Sequence, residues 1–181
     1  MVQKENKILL HACCGICSAY PILLLKDMGY TPVVYFCNPN IDSKEEFEKR
    51  LEAQKSVCEY FNVELIVENY LPEEFSCYIK GLEKEPEKGL RCDKCIELRL
   101  KKTFTKMKEL DIQYFTTSLT TSPHKNFEKI CKIANSFTDK YLAINFKKQD
   151  GFLKSNRIAN NLNIYRQSYC GCKFAKKNVQ T

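Results

Sequence analysis

The residues with chemistry to offer are cysteines. The chain carries 11 of them in 181 residues, and seven fall in three tight groups: Cys13-Cys14-Gly15-Ile16-Cys17, Cys92-Asp93-Lys94-Cys95 and Cys170-Gly171-Cys172. A Cys-x-x-Cys pair at the start of a helix lets two sulfurs converge on one metal, and the helix N-terminus favours the thiolate through its dipole. By spacing alone, Cys92 and Cys95 suit a zinc knuckle, a redox dithiol and half of an iron–sulfur site equally. Cys13, Cys14 and Cys17 follow an apolar run and precede a helical pattern, which places them at the C-terminal end of a strand, where open α/β sheets bind ligands. Seven thiols exceed one site. A cubane cluster or a structural zinc takes four, and the remaining three suit a second metal with an open position, the mark of a catalytic ion. The plainer account is one four-cysteine zinc site with spare thiols. Cys37, Cys58, Cys77 and Cys131 stand alone, all but Cys77 among apolar neighbours; buried free cysteine packs as a small hydrophobe, so these four are expected to be structural.

Such groups need a scaffold, and the sequence supplies an alternating one. Strands are expected over residues 7–11, 33–37, 63–67 and 113–118, with a weaker fifth over 141–144. Helices are expected over 18–28, from Ser43 to about residue 61, and over 126–135; Glu46, three residues after Ser43, completes a capping-box pattern. Strands separated by helices predict a three-layer α/β fold, a parallel sheet covered on both faces, because parallel neighbours need crossover connections. An insertion over residues 69–91, with Pro72, Pro86 and the charged run 83–88, reads either as a lid over the site or as a solvated connection. No repeat or boundary divides the chain, so one domain over residues 1–181 is expected. The glycine-rich phosphate signatures are absent, which gives ATP use no support.

Charge is unevenly placed. The net charge is +7, and all of it falls in residues 147–181, where eight lysines and arginines face Asp150 alone. A basic segment of this kind suits phosphates, as in nucleic acid, with a solvated helix face and tail as the alternative. The 44% hydrophobic content argues against disorder. No apolar run approaches the roughly 18 residues of a membrane span, and the stretch Ile8-Leu9-Leu10 is too short for a signal peptide. A cytoplasmic protein without a membrane partner is therefore expected. In that reducing setting an odd number of thiols argues for metal or redox chemistry over disulfides.

Several ordered motifs then point one way. His11-Ala12-Cys13-Cys14-Gly15-Ile16-Cys17, Asn38-Pro39-Asn40-Ile41, Gly89-Leu90-Arg91-Cys92-Asp93-Lys94-Cys95 with Arg99-Leu100, Ser122-Pro123-His124-Lys125-Asn126 and Tyr165-Arg166-Gln167-Ser168-Tyr169-Cys170-Gly171-Cys172 together resemble the cobalamin-independent epoxyqueuosine reductase family, over about residues 7–175. The resemblance implies an adenine nucleotide α-hydrolase-like (HUP-like) fold and the last step of queuosine synthesis: reduction of the epoxide of epoxyqueuosine in tRNA. It also implies a 4Fe-4S cluster, a neighbouring single metal ion (iron, with zinc the alternative), no cobalamin, and an electron donor such as ferredoxin or flavodoxin. Carried onto this chain, the cluster and second metal would draw on Cys13, Cys14, Cys92, Cys95, Cys170 and Cys172, with Cys17 completing the open site. Gly15-Ile16 stands where members often read Ala-Pro, and Asn145 where they commonly carry Asp. Asn38, Asn40 and Arg91 are candidate substrate contacts, and Tyr165, Arg166 and Gln167 would meet an unstacked base and its phosphates. His11 and His124 are candidate proton donors, although a histidine at the end of a core strand is more often an internal hydrogen-bonded residue. Two rivals stand beside this reading. One is a zinc-stabilised tRNA-binding module without redox chemistry. The other is a heterodisulfide reductase-type cluster domain, suggested by Cys-Cys-Gly but opposed by the long separation to the next Cys-x-x-Cys.

Overall fold

The computed structural model describes residues 6–176. The strands β1 (Lys7–Ala12), β2 (Thr31–Phe36), β3 (Glu64–Val67) and β4 (Tyr114–Thr117) form one sheet in the order β3-β2-β1-β4. All neighbours run parallel, with Leu9 opposite Val33 on one side and Phe115 on the other. Ile8, Leu10 and Val34 face one layer, where Ala19, Ile22 and Leu25 of α1 (Gly15–Asp27) and Val57 and Cys58 of α2 (Lys44–Phe61) cover them. Leu9, Val33, Tyr35 and Phe115 face the other, under Ile96, Leu100 and Met107 of α4 (Leu90–Glu109) and Ile130 and Ala134 of α5 (Phe127–Asn135). Alternate residues of one strand are thus apolar toward both layers, as a sheet buried on both faces requires. The expected three-layer architecture is the one observed.

The fifth expected strand is not formed. Tyr141 makes a single parallel bridge to Phe115, with the Leu142 amide donating to the Phe115 carbonyl at 2.8 Å. The pairing stops because Thr120 takes over: its hydroxyl donates to the Ile144 carbonyl at 2.8 Å and accepts from the Phe146 amide at 3.4 Å. The first helix begins earlier than expected, at Gly15, because the Cys14 sulfur accepts the Cys17 amide at 3.4 Å and serves as the cap. Ser43 caps α2 as expected, accepting the Glu46 amide at 3.2 Å. Glu46 does not complete the box; its carboxylate turns inward to the Arg50 guanidinium and the Tyr165 hydroxyl, the first of them a charge-assisted bond stronger than one to a neutral amide. The insertion holds α3 (Pro72–Tyr78), and two further helices, α6 (Gly151–Asn161) and α7 (Lys173–Lys176), follow the sheet.

α6 is pressed onto α1 through its small residues. Ser155 is fully buried and accepts the Tyr20 amide at 2.9 Å, and Ala159 is buried beside it. At Gly151 a Cβ would lie 1.7 Å from the Phe146 carbonyl oxygen and 2.8 Å from the Tyr20 ring, so the α6 start tolerates no side chain. Gly151→Ala should therefore lower unfolding free energy by about 3 kcal/mol, read by urea denaturation.

Candidate metal centre

The C-terminal ends of β1, β2 and β4 open onto a cavity of about 450 Å³, and all seven grouped cysteines come to it. Six line its wall directly; Cys14, 1% exposed, lies behind Cys13 and Cys17, and the sulfurs of this trio lie within 4.8 Å of one another. The local sequence dictates their placement. Cys13 leaves β1 with its amide donating to the Ser118 hydroxyl at 3.0 Å, just past the end of β4. Pro21 has no N–H to give the Cys17 carbonyl one helical turn earlier, and the Thr121 hydroxyl donates there instead at 2.9 Å, tying Cys17 to the turn that follows β4. Cys92 and Cys95 occupy the first two turns of α4, where the Cys92 sulfur accepts the Lys88 amide at 3.2 Å.

Cys170 and Cys172 arrive from far along the chain, and α2 holds them. The buried Arg50 donates to the Tyr169 carbonyl at 2.9 Å and the Cys170 carbonyl at 3.2 Å. Asn40 donates to the same Cys170 carbonyl at 3.4 Å, and the Asp42 amide to the Gly171 carbonyl at 2.8 Å. Glu46 fixes Arg50 at 2.7 Å and accepts the Tyr165 hydroxyl at 2.8 Å. Gly171 has φ +109°, a conformation that favours glycine, and it turns the chain so that the two flanking sulfurs lie 3.7 Å apart.

Charge within the thiols is unequal. Hydrogen bonds from the Cys14 and Cys17 thiols, with a further one from Ser118, hold the Cys13 thiol well below its ordinary range despite burial. Sharing with Cys13 pushes Cys14 up to about 12 and Cys17 well up. In the C-terminal pair, the hydrogen bond from Cys172 pulls Cys170 down to about 5, while Cys172 is pushed up. The first and the C-terminal groups therefore each favour one thiolate, Cys13 and Cys170, beside neighbours that a metal could deprotonate. An all-sulfur donor set without carboxylates fits iron or zinc and not magnesium or calcium. The residues present thus fit a metal or iron–sulfur centre.

The other expected site residues separate. Asn40, Arg91, His124, Arg166 and Gln167 line the cavity. Asn40 is 4% exposed and its Oδ1 has no hydrogen-bond partner among the described residues. Arg91 is held in the insertion, donating to the Glu83 carbonyl at 3.1 Å and to the Glu85 carbonyl, with Phe174 against its guanidinium at 4.3 Å. Arg166 donates to Asn156 at 2.6 Å, and His124 is exposed on the turn before α5. Asn38 is away from the cavity, donating to the Ala12 carbonyl at 3.0 Å, and Tyr165 is occupied by Glu46. His11 is fully buried behind the thiols, its ring nitrogens 2.8 Å from the Thr117 hydroxyl and 3.1 Å from the Cys37 carbonyl. Burial, with Arg99 nearby, pulls it down to about 4. It is an internal residue and does not reach the cavity. Asn145 caps the Lys147 amide at 3.2 Å. Among the solitary cysteines, Cys37 and Cys58 are buried in the core, Cys131 is half-buried and Cys77 is exposed. The sequence reading missed Arg50, Lys88, Arg99, Lys125, Phe152 and Asn156 as cavity residues. Arg99 carried a usable signal, since the residue four after Cys95 shares its helix face.

A parallel sheet wrapped by helices, with a thiol-lined cavity at its strand C-termini, defines a three-layer α/β domain carrying a cysteine centre. Solved structures share the fold: U34-tRNA thiolase NcsA from Methanococcus maripaludis, described with its 4Fe-4S cluster, superposes at TM-score 0.54 with 13% identity, over 94% of this chain and 62% of that one. NMN synthetase from Francisella tularensis superposes at TM-score 0.51 with 13% identity, over 90% of this chain and 66% of that one. The particular family follows from sequence. The model of the family described as epoxyqueuosine reductase QueH matches residues 8–178, and the chain belongs to that family. It is 39% identical to epoxyqueuosine reductase QueH of Streptococcus pyogenes serotype M1, over 97% of this chain and 73% of the relative. With that of Thermotoga maritima the identity is 31%, over 93% and 89%.

Two outcomes test the geometry. Arg50→Met strands Glu46 in the protein interior, and loss of one partner of a buried pair should cost about 3–5 kcal/mol, read as a lower urea midpoint. For His11, the unfolded chain binds a proton between pH 6.5 and 4 that the folded chain does not. Stability therefore carries no penalty above pH 6.5 and falls as pH drops toward 4, by about 3 kcal/mol in all. Urea unfolding at stepped pH should show this loss in the native protein and lack it in His11→Gln.

Proposed function

We propose that this chain is an epoxyqueuosine reductase that acts on tRNA, using a 4Fe-4S cluster and a second metal ion, iron or zinc, held by its seven grouped thiols. The observation that carries the reading is the convergence of those thiols, from three distant segments, on one cavity walled by cationic and amide side chains. Membership in the family supports the reaction and the RNA substrate. Among the described residues, no helix is long and apolar enough to cross a membrane.

The reaction breaks both carbon–oxygen bonds of the epoxide, forms a carbon–carbon double bond and releases the oxygen as water, consuming two electrons and two protons. A bound cluster supplies electrons one at a time, and an adjacent Lewis-acidic ion offsets charge that develops on oxygen; neither calls for cobalamin, and a small electron-transfer protein such as ferredoxin or flavodoxin would provide the electrons. The chain's own residues bind and orient. Lys88, Lys125 and Arg166 line the cavity and offer cations to the phosphates of an anticodon loop, and Phe152 offers a ring to an unstacked base. The unpartnered Asn40 Oδ1, deep in the wall, accepts a hydrogen bond from a substrate hydroxyl or amine. His124, which lines the cavity, would hold a proton for the departing oxygen.

Anaerobically purified protein should be brown and contain iron and acid-labile sulfide. With a chemical reductant and no cobalamin it should convert epoxyqueuosine in tRNA to queuosine, and Cys170→Ser should lose about 100-fold or more of that activity. A colourless, zinc-only protein that binds the tRNA without reducing it would establish the binding-module alternative.

A further inference from the structure

Three buried arginines stand in the cavity wall: Arg50, Arg91 and Arg99, at 3%, 5% and 4% exposure. Burying a guanidinium is costly unless an anion or a full set of acceptors compensates it. Arg50 has the Glu46 carboxylate and two backbone carbonyls, and Arg91, although its Nε has no partner among the described residues, has two carbonyls of the insertion and the face of Phe174. Arg99 differs. Its one hydrogen bond among the described residues runs from Nε to the Cys95 carbonyl at 3.4 Å, and no carboxylate there forms an ion pair with it. Arg99 lines the cavity together with Cys13, Cys95 and Cys170, one sulfur from each of the three thiol groups.

The position is built in. Arg99 lies one helical turn after Cys95 on the inward face of α4, between buried Ile96, Leu100 and Thr103, and the Thr103 hydroxyl donates to its carbonyl at 2.7 Å. A cation so placed shares the cavity wall with all three sources of sulfur, and no carboxylate among the described residues forms an ion pair with it.

We propose that the Arg99 guanidinium is the resident counter-ion of the metal-bound sulfurs and raises the electron affinity of the cluster they hold. The inference rests on the cluster assigned above. A cluster carried on thiolates is anionic, and each electron it accepts adds one negative charge while no bond is made or broken. A fixed cation in a low-dielectric wall stabilises the reduced form more than the oxidised form, so the midpoint potential rises. Arg99 is a positioning residue in this scheme, acting on the substrate only through the metal centre.

The test is a dye-mediated redox titration with dithionite of anaerobically reconstituted protein, followed by electron paramagnetic resonance, on the native chain and on Arg99→Gln, Arg99→Met and Arg99→Lys. Iron and sulfide content are measured in each. The expected result is a shift of the midpoint to more negative potential in the glutamine and methionine variants at native iron content, with the lysine variant staying near the native value. Equal potentials in the native and glutamine proteins would overturn the inference, as would an unchanged potential with a raised KM for tRNA, which would make Arg99 a substrate contact. Should the neutral variants fail to assemble a cluster, the lysine variant decides: assembly at near-native potential supports the counter-ion, and loss of the cluster there too refutes it. A native protein that takes up no iron would instead refute the cluster reading itself, a result visible before any variant is made.

Discussion

The Glu46–Arg50 pair is the interaction on which the rest of the site depends. Five of the seven thiols sit on the first turns of regular elements or at the strand end that precedes them, where the backbone ladder already fixes their direction. Cys170 and Cys172 have no such support, since the segment before them has no regular structure. Their position is set by α2, whose arginine grips two consecutive carbonyls while its glutamate grips the tyrosine that begins the segment. Because the pair is buried, its hydrogen bonds do not compete with water, and the segment gains a single register. A charged pair of this kind adds little net stability but is costly to break, which suits a device whose task is to hold a loop in one place.

The same economy runs through the other polar groups behind the cavity. Pro21 withholds a donor from the Cys17 carbonyl and Thr121 supplies it; Ser118 both accepts from the Cys13 amide and donates to its sulfur. These contacts join α1 to the turn after β4, so the first thiol group is anchored to two adjacent strands. The insertion between β3 and β4 closes one side through Arg91 and contributes Phe75, Glu87 and Lys88 to the wall. It is part of the cavity and not only a connection.

Much of the architecture was legible in the sequence because it rests on local rules. The apolar runs of β1 and β2 are hydrophobic toward both faces, which only a covered parallel sheet explains, and Ser43 and Asn126 cap their helices as their residue types demand. The weak fifth strand misled because its apolar pattern does not record that Thr120 captures residues 144 and 146. The Glu46 capping partner misled for a related reason: the pattern shows spacing, and the carboxylate answers to Arg50 and Tyr165, the latter more than 100 residues away.

By itself the sequence determined the candidate ligands, their division into three groups and the strand-end position of the first, because thiol chemistry and helix spacing are properties of short stretches. It leaned against His11 from its place at the end of a core strand without settling the matter, and it did not separate Asn38 from Asn40, which have the same side chain and differ only in what surrounds them. Tertiary structure decided those cases: burial and two internal hydrogen bonds hold His11 behind the cavity, and of the two asparagines, each with an unpartnered Oδ1, Asn40 alone lines the wall. It also decided which cations matter. Arg50, Arg91 and Arg99 read alike as members of charged helices, and only the enclosure of all three, with different partners for each, shows one holding a loop, one closing a wall and one left facing sulfur.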